Sequence, residues 1–134
     1  MSIQTAIRIR LPNRPGELVK LTTKLAQAGI NLEAGAGIAT GTEGTFELLP
    51  SDSTKAVQIL RDQGISFQET RVTLAWVPEK VGGLAEVIKP LSEAGINIEA
   101  FYLVRSEGNQ VLVAFGTDNP QKADQLLSTR GGSK

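Results

Sequence analysis

Residues 28–31 read AGIN, and residues 94–97 read AGIN again, 66 positions later. An internal repeat dictates architecture before any single element does. One copy could be no more than a helix stop, because Gly is favoured just past a helix C-terminus. The flanks settle the matter. Residues 12–34 (PNRPGELVKLTTKLAQAGINLEA) align without a gap over residues 78–100 (PEKVGGLAEVIKPLSEAGINIEA), with 10 identities in 23 positions. A shared helix stop would not match residues on both sides over that distance, so the chain is a duplication. The boundary expected from it gives a first domain over residues 1–70, a second over 71–130 and a flexible tail at 131–134.

Each copy carries the same order of elements. Ile7, Ile9 and Leu11 alternate with Arg8 and Arg10, the period of a half-buried strand. Pro15 stands where a first helical residue belongs, its φ already suited to a helix. Leu18, Leu21, Thr22, Leu25 and Ala28 follow at helical spacing until Gly29 stops the run. A strand over residues 30–38, a Gly-rich turn, a strand over 45–49, a helix opened by Ser51-Asp52-Ser53 and a strand near 66–70 complete the copy. The second copy predicts a strand over 72–77, then a helix lined by Leu84, Val87, Ile88 and Leu91 and ended by Gly95. Strands over 96–104 and 111–115 follow, and Asn119-Pro120 opens the last helix.

The order is βαββα twice, with a closing strand visible only once. It predicts an α/β (α+β) fold of two tandem ferredoxin-like βαββαβ units, their antiparallel sheets side by side and their helices on one face. Two features break the symmetry. Pro90 falls inside a helix, and the ending STRGGSK is too short and polar for a final strand in the second unit.

Absences narrow the chemistry. With no Cys and no His there is no thiol nucleophile, disulfide, imidazole base or Cys/His metal cluster, and neither cofactor nor metal is expected. Fourteen basic residues balance fourteen acidic ones, so no basic field exists to hold nucleic acid. No apolar run is long enough for a membrane span, and MSIQTAIRIR lacks a signal-peptide core; the expected location is the cytoplasm.

The pattern "strand, Pro-Gly-x-Leu, helix, Gly-Ile-Asn-Ile" resembles the ACT domain, a small-molecule-sensing module attached to many enzymes of amino-acid metabolism. The first copy shows it as LPNRPGEL and AGINLEA, the second as VPEKVGGL and AGINIEAFYL. The resemblance covers residues 3–127 and implies a stand-alone tandem ACT protein with no catalytic domain attached. It implies an amino acid or similar ligand held where ACT units meet, between the first strand–helix loop of one and the second strand of its neighbour. Carried onto this chain, those positions are Asn13, Arg14, Pro15, Gly16, Asn31 and Leu32 in the first unit. In the second they are Glu79, Lys80, Val81, Gly82, Gly83, Asn97 and Ile98. The serine-binding ACT unit of phosphoglycerate dehydrogenase has an Asn before its Arg-Pro-Gly and another in its second strand, and Asn13 and Asn31 match both. In the second unit Glu79 replaces the first Asn and Val81 the proline, so the two sites are not equivalent.

Physical chemistry permits this without the resemblance. A zwitterion needs donors for its carboxylate and acceptors for its ammonium; a carboxamide offers both, and a Gly at a helix N-terminus lets backbone N–H groups approach an anion. Each residue also has a plainer reading. Pro15-Gly16 could serve only to start a helix, and Asn31 and Asn97 could only cap a helix–strand junction. Alternation puts Glu33 and Glu99 on a solvated face and Arg8 and Arg10 on the polar side of a strand, while Trp76 and Tyr102, as large aromatics, are expected in core or interface packing.

The leading expectation is a non-catalytic sensor of a small molecule such as an amino acid, working as a homodimer and read by a regulated enzyme or a transcription-related protein. The alternative is a ligand-free interaction or oligomerisation module. Acylphosphatases share the fold and hold phosphate with a loop Arg and a strand Asn, which Arg14 and Asn31 superficially suit, but their Gly-Arg-Val-Gln-Gly loop is absent. An RNA-binding sheet would need exposed aromatics and basic charge.

Overall fold

The computed structural model describes residues 3–128. These form six strands and four helices: β1 (Ile3–Pro12), α1 (Glu17–Gln27), β2 (Leu32–Thr40), β3 (Glu43–Pro50), α2 (Ser53–Asp62), β4 (Phe67–Pro78), α3 (Gly83–Glu93), β5 (Ile98–Glu107), β6 (Gln110–Thr117) and α4 (Pro120–Ser128). They divide into two compact units. Residues Thr5–Thr70 make the first; the described part of the second comprises 3–4 and 71–128. The division falls within β4, whose residues 67–78 cover the long extended run that the sequence shows over 66–77. Residues 129–130 of the expected second domain, the expected tail and most of the STRGGSK ending lie outside the described residues.

In the first unit β3 is paired antiparallel with β1 on one side and with β2 on the other. The alternation of β1 is what orients it: Ile7, Ile9 and Leu11 are buried and pack with Leu21 and Leu25 of α1 and with Ala56, Val57 and Leu60 of α2. Arg8 faces the other way and lies directly opposite Glu47 of β3. In the second unit β6 is paired antiparallel with β4 and with β5. Its core repeats the scheme, with Ala75, Val77, Val111, Val113 and Phe115 against Val87 and Leu91 of α3 and Ala123 and Leu127 of α4. Each hairpin turns through a glycine of positive φ, Gly41 at 65° and Gly108 at 58°. A positive φ at the first central residue suits the right-handed twist of a two-residue hairpin.

One expectation is corrected. Pro15 is not a helical residue: α1 begins at Glu17, and Gly16 is its N-cap with φ 88°. The chain leaves β1 by a left-handed residue that only glycine adopts cheaply, and this displaces the proline to the turn before the cap. Pro90 does lie within α3, and the helix continues past it to Glu93.

Candidate functional site

The loops that open α1 and α3 have the same backbone. The Asn13 N–H donates to the Thr42 carbonyl at 2.9 Å, and the Glu79 N–H donates to Asn109 at 2.9 Å. Arg14 N–H reaches Pro12 O at 2.9 Å; Lys80 N–H reaches Pro78 O at 3.0 Å. Both loops end in a left-handed N-cap glycine, Gly16 at φ 88° and Gly82 at φ 83°, and neither helix has a side-chain cap. The second helix of each unit differs. Asp52 caps α2 by accepting from Lys55 N–H at 3.0 Å, and Asn119 accepts from Lys122 N–H at 3.1 Å. The first-turn N–H groups of α1 and α3 thus have no side-chain oxygen to answer them, and the positive end of each helix dipole stays open to an anionic group.

Side chains separate the two loops. The Asn13 carboxamide donates to the Gly41 carbonyl at 2.9 Å, fastening the loop to the β2–β3 turn and leaving its Oδ1 and one N–H for other partners. A carboxylate cannot donate, so Glu79 cannot make this bond. Arg14 donates through Nε and Nη2 to Glu17 at 3.1 and 2.7 Å. That bond, with Lys20 nearby, holds the Glu17 carboxyl below its ordinary pKa range. The second unit has Gly83 at that position, where a Cβ would collide with the Pro78 carbonyl oxygen. Lys80 pairs instead with Glu86 at 3.4 Å.

Beyond each helix stop, the AGIN segment is tied down in parallel fashion. Asn31 N–H donates to Ser51 Oγ at 2.9 Å and its carbonyl accepts from Ser51 N–H at 2.8 Å. Asn97 N–H donates to Asp118 Oδ1 at 3.0 Å and its carbonyl accepts from Asp118 N–H at 3.2 Å. Both Asn residues are exposed, followed by half-buried Leu32 and Ile98. Their backbones are committed to the fold.

Within a unit, the loop and the AGIN asparagine lie at opposite ends of an 11-residue helix, roughly 16 Å of helical rise apart. One unit therefore does not bring Asn13 and Asn31 together. It does bring Asn13, Arg14, Pro15 and Gly16 together at one end, and Asn31 and Leu32 at the other.

Sequence reasoning missed three features. Glu47 is buried and accepts from Arg8 Nε and Nη2 at 3.0 and 2.7 Å, an ion pair that only the β1–β3 register reveals. Trp76 is half-buried with the Arg105 guanidinium 5.4 Å from its ring centre. Ser51 and Asp118 emerge as the anchors of the AGIN segments, a role that no local pattern marks.

Residues 1–130 match the family described as an ACT domain pair. No curated protein matches in sequence. Among solved structures, protein BT0572 from Bacteroides thetaiotaomicron is similar at 28% identity and TM-score 0.88, over 98% of this chain and 91% of that one. Aspartokinase alpha and beta subunits are similar at 22% identity and TM-score 0.62, over 96% of each chain. The regulatory subunit of aspartate kinase from Thermus thermophilus, in a ligand-free form, is similar at 14% identity and TM-score 0.65, over 96% of this chain and 97% of that one. Among the described residues, no helix is long and apolar enough to cross a membrane.

Proposed function

The chain belongs to the ACT domain family, as an ACT domain pair, and from that premise we propose that it is a non-catalytic regulatory protein that binds an amino acid through its first unit. The observation that carries this reading is the contrast in helix capping: α2 and α4 are closed by Asp52 and Asn119, whereas α1 opens on a bare Gly16 beside Asn13. A ligand carboxylate is received at that N-terminus by backbone N–H groups, and the free carboxamide positions of Asn13 meet its polar atoms. A site that also uses Asn31 and Leu32 draws them from another copy of the chain, because one unit holds them at the far end of α1. The protein then works as a homodimer. Differential affinity of the ligand for two arrangements of that dimer is the signal. The regulatory subunit of aspartate kinase shares the fold, which supports a regulatory role.

A second reading is an assembly module without a ligand. Glu79 and Val81 favour it, since they remove the carboxamide and the proline from the second loop. A thermal-shift screen of the wild type, Asn31→Ala and Asn97→Ala against the common amino acids separates the two. An amino acid at 100 times its Kd stabilises by about 2.7 kcal/mol, and Asn31→Ala should abolish that shift while Asn97→Ala keeps it. No shift with any amino acid sinks the sensor and leaves the assembly module.

A further inference from the structure

Beside the Asn13 loop, whose flanking residues Pro12 and Glu17 border it, the first unit carries a groove with its own chemistry. A cavity of about 880 Å³ opens between α1, the end of β1 and the segment joining α2 to β4. Lys20 and Lys24 border it from the helix, Arg10 from the strand and Ser66 from the connecting segment, and half-buried Ile65 provides apolar surface. A smaller cavity of about 370 Å³ also uses Arg10 and Ser66.

Two carboxylates border the groove, and each is already answered. Glu43 lies 3.7 Å from Arg10. Glu17 is held at 2.7 Å by Arg14, which does not line the cavity, and stands 3.7 Å from Lys20. Lys24 has no carboxylate partner among the described residues. Lys20 and Lys24 are four residues apart on one helix, so their ammonium groups share a face and can converge on one anion. The positive charge is not inherited from the repeat: the positions matching Arg10, Lys20 and Lys24 in the second unit hold Trp76, Glu86 and Pro90. In a chain with no net charge, this is a local concentration of cations beside apolar surface.

We propose that this groove is a second binding site, for a small anionic metabolite whose carboxylate or phosphate sits between Lys20 and Lys24 and whose short carbon body lies against Ile65. A compact ammonium suits either oxyanion. The site is independent of the amino-acid reading and stands if that reading fails.

The test is an amide-resolved NMR titration of the full chain with inorganic phosphate, pyrophosphate and succinate, at constant ionic strength. Saturable shifts are expected at residues 20, 24 and 63–66, and the anion that saturates lowest tells phosphate from carboxylate. The Lys20→Gln/Lys24→Gln double variant should weaken binding about tenfold or more. Lys20→Arg/Lys24→Arg, which keeps the charge, should retain most of it, and Asn31→Ala should leave it unchanged. Absence of saturable shifts with all three anions overturns the proposal. So does undiminished binding in the double Gln variant with its fold intact by circular dichroism.

Discussion

The two units share a backbone and differ in what is attached to it. Gly16 and Gly82, Gly29 and Gly95, and Gly41 and Gly108 hold the same left-handed turns, and the loop and AGIN hydrogen bonds repeat almost bond for bond. The edge strands diverge. From residue 34, β2 reads AGAGIA, with Gly37 leaving room for the Phe46 ring, where a Cβ would collide. From residue 100, β5 reads AFYLVR, with Phe101 and Leu103 both exposed. Backbone geometry is therefore the part of the duplication that folding demands, and the polar and edge side chains are where the copies became free to differ. Asn13, Arg14 and Glu17 against Glu79, Lys80 and Gly83 is the clearest such difference, and it lies at the proposed site.

If the frames are equivalent, equivalent cores should cost alike. Leu25→Ala and Leu91→Ala, both at nearly completely buried positions, should each lose about 2–5 kcal/mol in urea unfolding. A large loss in only one would break the comparison. A sharper contrast comes from the first helical residues. Gly83→Ala must move the Pro78 carbonyl and should cost about 1–3 kcal/mol, whereas Glu17→Ala removes an ion pair whose Arg14 side lies in solvent and should cost less. Next come the caps: Asp52→Ala and Asn119→Ala should each lower stability by about 1 kcal/mol, measured as matched shifts in thermal midpoint.

The smallest effect is electrostatic. The Arg14 hydrogen bond depresses the Glu17 pKa in the folded state, so its contribution is present above the unfolded glutamate pKa and fades as pH falls through the folded one. Carboxyl-resolved NMR should show Glu17 titrating low in the wild type and returning toward the normal range in Arg14→Gln. An unchanged Glu17 titration in that variant would remove Arg14 as the cause.

Much of this was legible in the residues. Matched flanks around AGIN gave the duplication, and alternation in β1 gave the buried faces of Ile7, Ile9 and Leu11. Pro15 reads as a first helical residue because a proline at that position and a proline two residues earlier look alike until the φ of Gly16 is known. Glu47 was invisible because its burial comes from lying opposite Arg8, thirty-nine residues earlier in the chain. The basic groove escaped for the same reason, since β1, α1 and the segment before β4 contribute to it separately. What depends on period reads directly; what depends on register and on distant segments does not.

One frame is kept twice, and in the proposed function the first copy carries the amino-acid site. An amide-resolved NMR titration with the amino acid that gives the largest thermal shift tests it most directly. Saturable shifts are expected at residues 13, 14, 16, 31 and 32, with 79–83 and 97–98 unmoved. Equal shifts in both sets, or shifts confined to the second, would contradict it.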